Sequence, residues 1–229
     1  MKKLSYVFGL MAFLACALGS AQEQAVDAKD EPHHRPKLVN DVVRVLDVEV
    51  LPGEATQYHT HSLDYPYVML STSLLKNDIP GKPQADLNIV AGLVGYYRAS
   101  QGAYTHRFTN ADSKPFRAIG IELLSHAPLG SGAAPLTEGA GVKKVLDNER
   151  VRGYRLTLAP GDSIGPLTLP GRSVRVAQSA GTIAQSMNGG EAASMSLDVA
   201  AFEWRETAVT VVLKNVGETT LELIEFEFK

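Results

Sequence analysis

Runs in which apolar and polar residues alternate recur along this chain. Residues 43–50 (VRVLDVEV) and 209–216 (VTVVLKNV) are two examples. Because successive side chains of a β-strand point to opposite faces, this alternation predicts strands. No segment after residue 21 has a long helical period, so we predict an all-β fold, and the even spacing of strands and turns favours barrels. The expected turns lie at Pro52-Gly53, Asn77-Asp78, Pro80-Gly81, Pro160-Gly161 and Asn188-Gly189-Gly190.

The sequence also contains an internal repeat. Residues 40–53 (NDVVRVLDVEVLPG) resemble residues 148–161 (NERVRGYRLTLAPG), 108 positions later. Residues 105–110 (THRFTN) resemble residues 210–215 (TVVLKN), 105 positions later. We therefore predict two tandem copies of one β-domain, and the segment between them, rich in Gly, Ala and Pro, is typical of a linker. The predicted boundaries are 37–126, 127–144 for the linker and 145–229.

The first residues have the pattern of a secretory signal peptide. A basic MKK start is followed by an apolar run over residues 4–18 and by small residues ending at Ala21. The apolar run is shorter than the ~20 residues that a membrane span needs, so we expect no transmembrane segment in the mature chain. Cleavage after Ala21, with residues 1–21 removed, predicts a periplasmic or secreted protein. The alternative is a lipoprotein anchored through Cys16.

Composition excludes several kinds of chemistry. Cys16 is the only cysteine, so a chain cleaved after Ala21 has no disulfide, no catalytic thiol and no Cys-ligated zinc. The formal net charge of −3 becomes −5 once Lys2 and Lys3 are removed, since 20 basic residues then face 25 acidic ones. A mildly acidic chain without a basic stripe argues against nucleic acid as a partner.

Residues 22–36 are polar and contain two prolines, which predicts a flexible N-terminal segment. His33 and His34 lie in it, and we expect them to be solvated there. Adjacent histidines on a mobile arm could also capture a metal ion, which is the less favoured alternative.

Three of the six histidines fall in a pattern that can bind a metal. His59 and His61 are two residues apart, so on a strand both imidazoles point to one face. His106, in the run THRFTN, can supply a third imidazole from a facing strand. Imidazoles serve several transition metals alike, and three protein ligands leave positions open for water or substrate.

This pattern resembles the first motif of the cupin superfamily. That motif has Gly, five residues, His, one residue and His, followed three or four residues later by Glu. Gly53, His59 and His61 match it, but Tyr65 stands where the motif has Glu.

The second cupin motif has Gly, a short gap, His, three residues and Asn. His106 and Asn110 match its end, and the gap after Gly102 is one residue longer than in the common form. The resemblance implies two tandem cupin-type barrels, each a double-stranded β-helix or jelly roll. It also implies one divalent transition metal (Fe, Mn, Ni or Zn) bound by the three histidines.

The second copy lacks the metal-binding residues. His59 corresponds to Leu167, His61 to Leu169, and His106 to Val211. We therefore predict a C-terminal barrel that is dry and free of metal. A barrel of this type folds without inner histidines, so those of the first copy are more readily explained by function than by structure.

Strand parity predicts the neighbours of the metal. Gln57 has the parity of His59 and His61, and Tyr104 and Phe108 have that of His106, so these three are candidate substrate-binding residues. Tyr65 is the candidate catalytic residue: it could ligate weakly, orient a substrate or act as a general acid or base. The alternative is that Tyr65 is a half-buried packing residue.

Three further polar residues are assigned structural positions. Asp64 has the opposite parity to the histidines and is expected to face solvent. Asn110 is repeated as Asn215 in the copy without histidines, so we expect a turn-forming role. Glu122 is repeated as Glu227 and is expected to belong to the scaffold.

The leading hypothesis is an exported two-barrel protein that uses one metal on a small organic molecule, as a dioxygenase or as a lyase or isomerase. Resemblance to a fold does not select among these reactions. Two alternatives stay open: a non-catalytic protein of the cell envelope that binds a small ligand or metal, and a scaffold whose barrels form a homodimer interface.

Overall fold

A computed structural model describes residues 24–125 and 134–229. The predicted signal peptide with Cys16 lies outside these residues, as do His126 and the first half of the predicted linker. Apart from two short 3-10 helices, at Ala28–Asp30 and Ala99–Gln101, the regular structure of the described residues consists of strands. The all-β prediction is confirmed. No helix of the described residues has both the length and the apolar character needed to span a membrane.

The first half of the chain forms two five-stranded sheets that face each other. Their orders are β1-β4-β9-β6-β7 and β2-β3-β10-β5-β8. The strands are β1 (Val26–Asp27), β2 (His34–Val39), β3 (Val43–Val50), β4 (His59–His61), β5 (Tyr65–Met69), β6 (Ser73–Asp78), β7 (Ala85–Ile89), β8 (Val94–Tyr97), β9 (Tyr104–Asn110) and β10 (Phe116–Leu123).

The second half repeats this arrangement with one strand fewer. Its sheets have the orders β11-β12-β19-β14-β17 and β13-β18-β15-β16. The strands are β11 (Val142–Asp147), β12 (Val151–Leu158), β13 (Ser163–Leu169), β14 (Ser173–Ala177), β15 (Gly181–Met187), β16 (Ala193–Leu197), β17 (Phe202–Arg205), β18 (Val209–Asn215) and β19 (Leu221–Phe228).

The internal repeat in the sequence corresponds to a repeat in the structure: the two barrels have the same order of strands and the same residue pairing between them. Strands β2 to β10 correspond in order to β11 to β19, and β1 has no counterpart. In the first barrel His59 pairs with His106, and in the second Leu167 pairs with Val211. The offsets inferred from the sequence therefore align the two barrels residue by residue. The predicted turns at Gly53 and Gly161 have positive φ angles of 79° and 85°, which glycine adopts without steric cost.

Each barrel has its own apolar interior, and the two barrels share a third core. The outer faces of β3, β5 and β10 pack against those of β12, β14 and β19. Val45 and Ile121 from the first barrel, with Val174 and Phe226 from the second, are all fully buried in this contact. These strands carry buried apolar residues on both faces: on β3, Val43 and Val45 lie in the shared core, and Leu46 and Val48 lie in the core of the first barrel. The two barrels form one packed body.

The N-terminal segment differs from its prediction. Residues 22–36 were expected to be flexible, but β1, a 3-10 turn and the start of β2 lie within them. Val26 pairs in parallel with His59, and His34 pairs with Val48 on β3. The partners of this segment are distant in sequence, so its polar composition alone did not reveal its order. Pro36 fits because β2 is an edge strand, where a missing N–H leaves no ladder bond unmade.

Two other boundaries also shift. β11 begins at Val142, inside the predicted linker of 127–144, and pairs with β12. Asn77 and Asp78 were expected to form a turn, but they end strand β6 and pair with Phe108 and Arg107 on β9. The turn lies further on, at Gly81, whose φ angle is 77°.

Candidate metal centre

The three predicted histidines come together inside the first barrel. Strand β4 places His59 and His61 on its inner face, and β9 places His106 opposite His59 in an antiparallel pair. His59 is 0% and His61 7% exposed. One nitrogen of each of the three rings lies within 4.8 Å of the other two, and no other such group of His, Cys, Asp or Glu occurs in residues 24–125 and 134–229.

Hydrogen bonds from the ring nitrogens facing away from the site orient two of the imidazoles. His59 Nδ1 donates to the carbonyl of Gln57 at 2.9 Å, and His106 Nδ1 donates to Oδ1 of Asn77 at 2.8 Å. Asn77 in turn donates through Nδ2 to the hydroxyl of Tyr104 at 2.9 Å. An Nδ1–H bonded in this way leaves Nε2 with a lone pair, which is the form that ligates a metal.

The site keeps its histidines neutral. Burial lowers the pKa of His61 to about 2, with help from the positive charges that His59 and His106 would carry. Burial lowers the pKa of His106 to about 2 as well, followed by the effect of His59. The pKa of His59 is also lowered, again mainly by burial. A neutral imidazole offers a lone pair instead of a proton.

The donor atoms fit a metal ion. His59 Nε2 is buried and has no hydrogen-bond partner among the described residues. Such orphaned polar atoms are costly unless a ligand or ion satisfies them. Nε2 of His61 lies 3.3 Å from Nε2 of His106. Two nitrogens that share a metal through bonds of about 2.1 Å stand roughly 3.0–3.4 Å apart.

A cavity of about 360 Å³ adjoins His61 and His106. Four tyrosines line it, and Tyr65 stacks on His61 with ring centroids 4.8 Å apart and an interplanar angle of 24°. Burial raises the pKa of Tyr65, so its hydroxyl stays protonated. That hydroxyl has no hydrogen-bond partner in the part of the chain that is described. Tyr65 is therefore placed to donate a hydrogen bond into the cavity.

The other predicted neighbours divide between the cavity and the surface. Tyr104 and Phe108 line the cavity, and the ring of Tyr104 lies 4.4 Å from that of His106. Gln57 does not line it: its side chain is exposed, and only its carbonyl serves the site by accepting from His59. Gln57 precedes β4, which begins only at His59, so strand alternation does not set the direction of its side chain.

Asp64 also differs from its prediction. It is 6% exposed and accepts hydrogen bonds from the Tyr96 hydroxyl and from both N–H and Oγ–H of Ser100. It ties β5 to the 3-10 turn before β9. Asp64 precedes β5 and lies outside any strand. The alternation of side chains along a strand therefore does not predict whether Asp64 is buried.

Asn110 and Glu122 behave as the repeat predicted. Asn110 donates to the carbonyls of Val50 and Lys114, and Asn215 makes the same two contacts with Leu158 and Thr219. Glu122 pairs with Arg44 at 2.6 Å and lines the cavity, and burial raises its pKa. Its counterpart Glu227 pairs with Arg152 at 3.2 Å.

Asn77 was missed from the sequence as a residue of the site, and the expectation that His34 is solvated is wrong. Asn77 orients His106, but its neighbour Asp78 made the pair look like a turn. His34 is 4% exposed and lies edge-on to His59 with ring centroids 4.5 Å apart. His34 Nδ1 donates to the carbonyl of Ala28 at 3.0 Å, and burial holds its pKa well below the usual value.

Glu31 holds the N-terminal segment, in which His34 lies, against the site. It is 1% exposed and accepts from the backbone N–H groups of His33 and Gln57.

The second barrel has no comparable centre. Leu167 and Leu169 lie on β13 opposite Val211 and Val209 of β18. Leu169 and Val211 are fully buried in the interior of that barrel. The inferred replacement of all three imidazoles by aliphatic side chains is confirmed.

Comparison with solved structures supports this fold. AerE from Microcystis aeruginosa is 15% identical, with a TM-score of 0.57 over 87% of this chain and 98% of its own. The protein YhaK from Escherichia coli is 17% identical, with a TM-score of 0.55 over 90% and 99%. Salicylate 1,2-dioxygenase from Pseudoaminobacter salicylatoxidans, in a structure with gentisate, is 14% identical, with a TM-score of 0.54 over 81% and 68%.

At these identities the likeness concerns the fold alone, and the fold is the cupin fold: the chain consists of two cupin-type barrels in tandem. The sequence itself matches no protein-family model and no curated protein.

Proposed function

We propose that this chain is an exported protein whose N-terminal barrel binds one divalent transition metal through His59, His61 and His106. We further propose that it uses the metal in a reaction of a small organic molecule. The observation that carries the proposal is the set of three neutral imidazoles, two buried and one half-buried, with Nε2 of His59 left without a hydrogen-bond partner among the described residues. The second barrel folds with Leu and Val at these positions, so folding does not require the histidines.

The chemistry of the cavity narrows the substrate. Among residues 24–125 and 134–229 no Lys or Arg side chain lines it, and the nearby Arg44 is already paired with Glu122. A sugar phosphate or polyanion would find no fixed cation there apart from the metal. The aromatic and aliphatic lining suits a mainly apolar molecule whose oxygen atoms point towards the histidines.

Three neutral imidazoles leave the two positive charges of a bound divalent metal uncompensated. Such a metal would supply a Lewis-acid or oxygen-binding centre for an anionic or enolisable group. The protein residues hold the substrate against it. The protonated Tyr65 hydroxyl donates to an acceptor on the substrate and is the candidate general acid. Tyr104, held by Asn77, and Phe108 form a wall of the cavity and exclude water.

Metal analysis and oxygen uptake test this proposal together. The mature protein is purified without added metal, and its metal content is measured by mass spectrometry beside a His59→Ala/His61→Ala variant. Iron with oxygen consumption on a panel of small phenols and diketones supports a dioxygenase. Zinc, nickel or manganese without oxygen uptake supports lyase or isomerase chemistry. One metal without any turnover supports the non-catalytic binding protein, and no metal in either protein refutes the proposal.

Export is a separate part of the proposal. It rests on the basic start, the apolar run and the small residues before Gln22. Mass spectrometry of the protein recovered outside the cytoplasm should give an N-terminus at Gln22. An acylated Cys16 would instead establish the lipoprotein alternative, and an uncleaved chain in the cytoplasm would contradict export.

A further inference from the structure

The second barrel contains a cavity of its own, of about 310 Å³. It lies at the same place as part of the first cavity, because the residues correspond through the 108-residue offset. Ile183, Gln185 and Met195 line it where Leu75, Asn77 and Leu87 line the first cavity. The positions of the histidines are aliphatic in the second barrel, as predicted, and its interior also contains this cavity, which other residues line.

One side of this cavity is polar. Arg175, 5% exposed, lines it and donates through Nε to Glu225 at 3.1 Å and through Nη1 to the Oε1 atom of Gln185. Arg205 binds the fully buried Glu225 through both terminal nitrogens, at 2.9 and 2.8 Å. Glu203 lines the cavity as well, with Oε2 3.5 Å from Arg175 Nη1 and 3.7 Å from Arg205 Nη2.

Two side chains on this polar side of the cavity have N–H groups without a hydrogen-bond acceptor. Nη2 of Arg175 is buried without an acceptor among residues 24–125 and 134–229. Since a guanidinium has no acceptor atom, the Gln185 atom that it contacts must be Oε1, and Nε2 of Gln185 is left as a donor. That Nε2 also has no partner in the described chain. A molecule that enters here must therefore offer a hydrogen-bond acceptor.

The charges indicate that the acceptor is uncharged. Two guanidinium groups, from Arg175 and Arg205, already face two carboxylates, from Glu225 and Glu203. An added carboxylate would leave a net negative charge in a largely buried site, which is costly. A carbonyl oxygen accepts the free N–H groups without that cost.

We propose that the C-terminal barrel is a second, metal-independent binding site for a small, mainly apolar molecule with a carbonyl-type oxygen. The apolar body packs on Ile183, Met195 and Phe202, and the oxygen accepts a hydrogen bond from Nε2 of Gln185. The size and lining of the cavity are those of small-molecule pockets in general. The site does not depend on the histidines or on the function proposed for the first barrel.

Three methionines allow a direct test by methyl NMR on the full mature chain in the presence of a chelator. Met195 lines the second cavity, Met69 lines the first, and Met187 is exposed on the surface. The probes are butyrophenone, its deoxygenated analogue butylbenzene and 4-phenylbutyrate. We expect butyrophenone to shift the Met195 methyl saturably and to leave Met187 unchanged. Butylbenzene should bind roughly 3- to 10-fold more weakly, the effect of one hydrogen bond.

Variants locate the binding. Gln185→Leu should remove the preference for the ketone over butylbenzene, while Ala201→Leu, which fills the cavity, should abolish the Met195 shift. Ala192→Leu, on an exposed position of the same barrel, is the matched control and should bind as wild type does. The His59→Ala/His61→Ala variant should bind butyrophenone unchanged. A shift at Met69 without one at Met195, or tighter binding of 4-phenylbutyrate than of the ketone, would overturn the proposal.

Discussion

Replacing the three histidines by the residues of the second barrel should remove much of the acid sensitivity of this protein. The variant is His59→Leu/His61→Leu/His106→Val, and the chain already folds with these side chains at the corresponding positions. In the folded state burial holds the pKa values of His61 and His106 at about 2. In the unfolded chain both return to about 6.5.

The sign of the effect follows from proton binding. Between the folded and unfolded pKa values, the unfolded chain binds protons that the folded chain does not, so stability falls as pH is lowered through 6.5. From pH 6.5 to pH 5.0 each of these two groups lowers the free energy of unfolding by about 1.6 kcal/mol, and the pair by about 3 kcal/mol. This free-energy loss depends little on the folded-state pKa values of His61 and His106, because both lie well below 5. His59, whose pKa is also lowered, adds to the loss.

Urea denaturation at pH 8.0, 6.5 and 5.0, with a chelator to remove metal, measures this difference. We expect wild type to lose at least about 3 kcal/mol more than the variant between pH 6.5 and 5.0. The variant should keep some pH dependence, since the buried His34 is still present. At pH 8.0 the histidines are neutral in both states, so the curves there report packing alone. Equal losses for the two proteins would refute the assignment of acid sensitivity to these residues.

Three further predictions concern the same centre. Metal analysis should give one metal per chain, and His59→Ala, His61→Ala or His106→Ala should each lower the affinity strongly. Asn77→Leu should lower metal affinity by roughly 10- to 100-fold, because it frees the His106 ring; Gln185→Leu, its counterpart in the second barrel, should leave that affinity unchanged. Tyr65→Phe should lower turnover by about 10²- to 10⁴-fold at constant metal content if the hydroxyl is a general acid, and little if it only packs.

The features that could be predicted from the sequence depend on the alternation of apolar and polar residues and on the internal repeat. Alternation predicted strands, and the 108-residue offset placed His59 and His61 opposite Leu167 and Leu169 because both barrels keep one register. His106 could be added because an i, i+2 pair on an inner face needs a partner from a facing strand.

The features that were missed depend on contacts across long distances in the chain. The order of the N-terminal segment comes from pairing of β1 with β4 and of β2 with β3, which its composition does not record. Gln57 was misplaced because strand parity was extended beyond the start of β4. Asn77 could have been found from its place after Ser73 and Leu75 on the buried face of β6, because a buried side-chain amide needs hydrogen-bond partners.

His34 tests whether the metal has three histidine ligands or four. Donors that share one metal through bonds of about 2.1 Å cannot stand more than about 4.2 Å apart. The group of nitrogens within 4.8 Å of one another contains His59, His61 and His106 and does not include His34, although its ring touches that of His59.

We therefore expect His34→Leu to keep one metal per chain, measured by mass spectrometry, and to change the affinity in a chelator competition by less than about tenfold. His33→Leu, at the preceding residue and outside the cavity lining, is the control for changes in the N-terminal segment. A loss as large as that of His61→Leu would mean that His34 binds the metal directly. Its ring would then have to leave the carbonyl of Ala28 and move towards the other three.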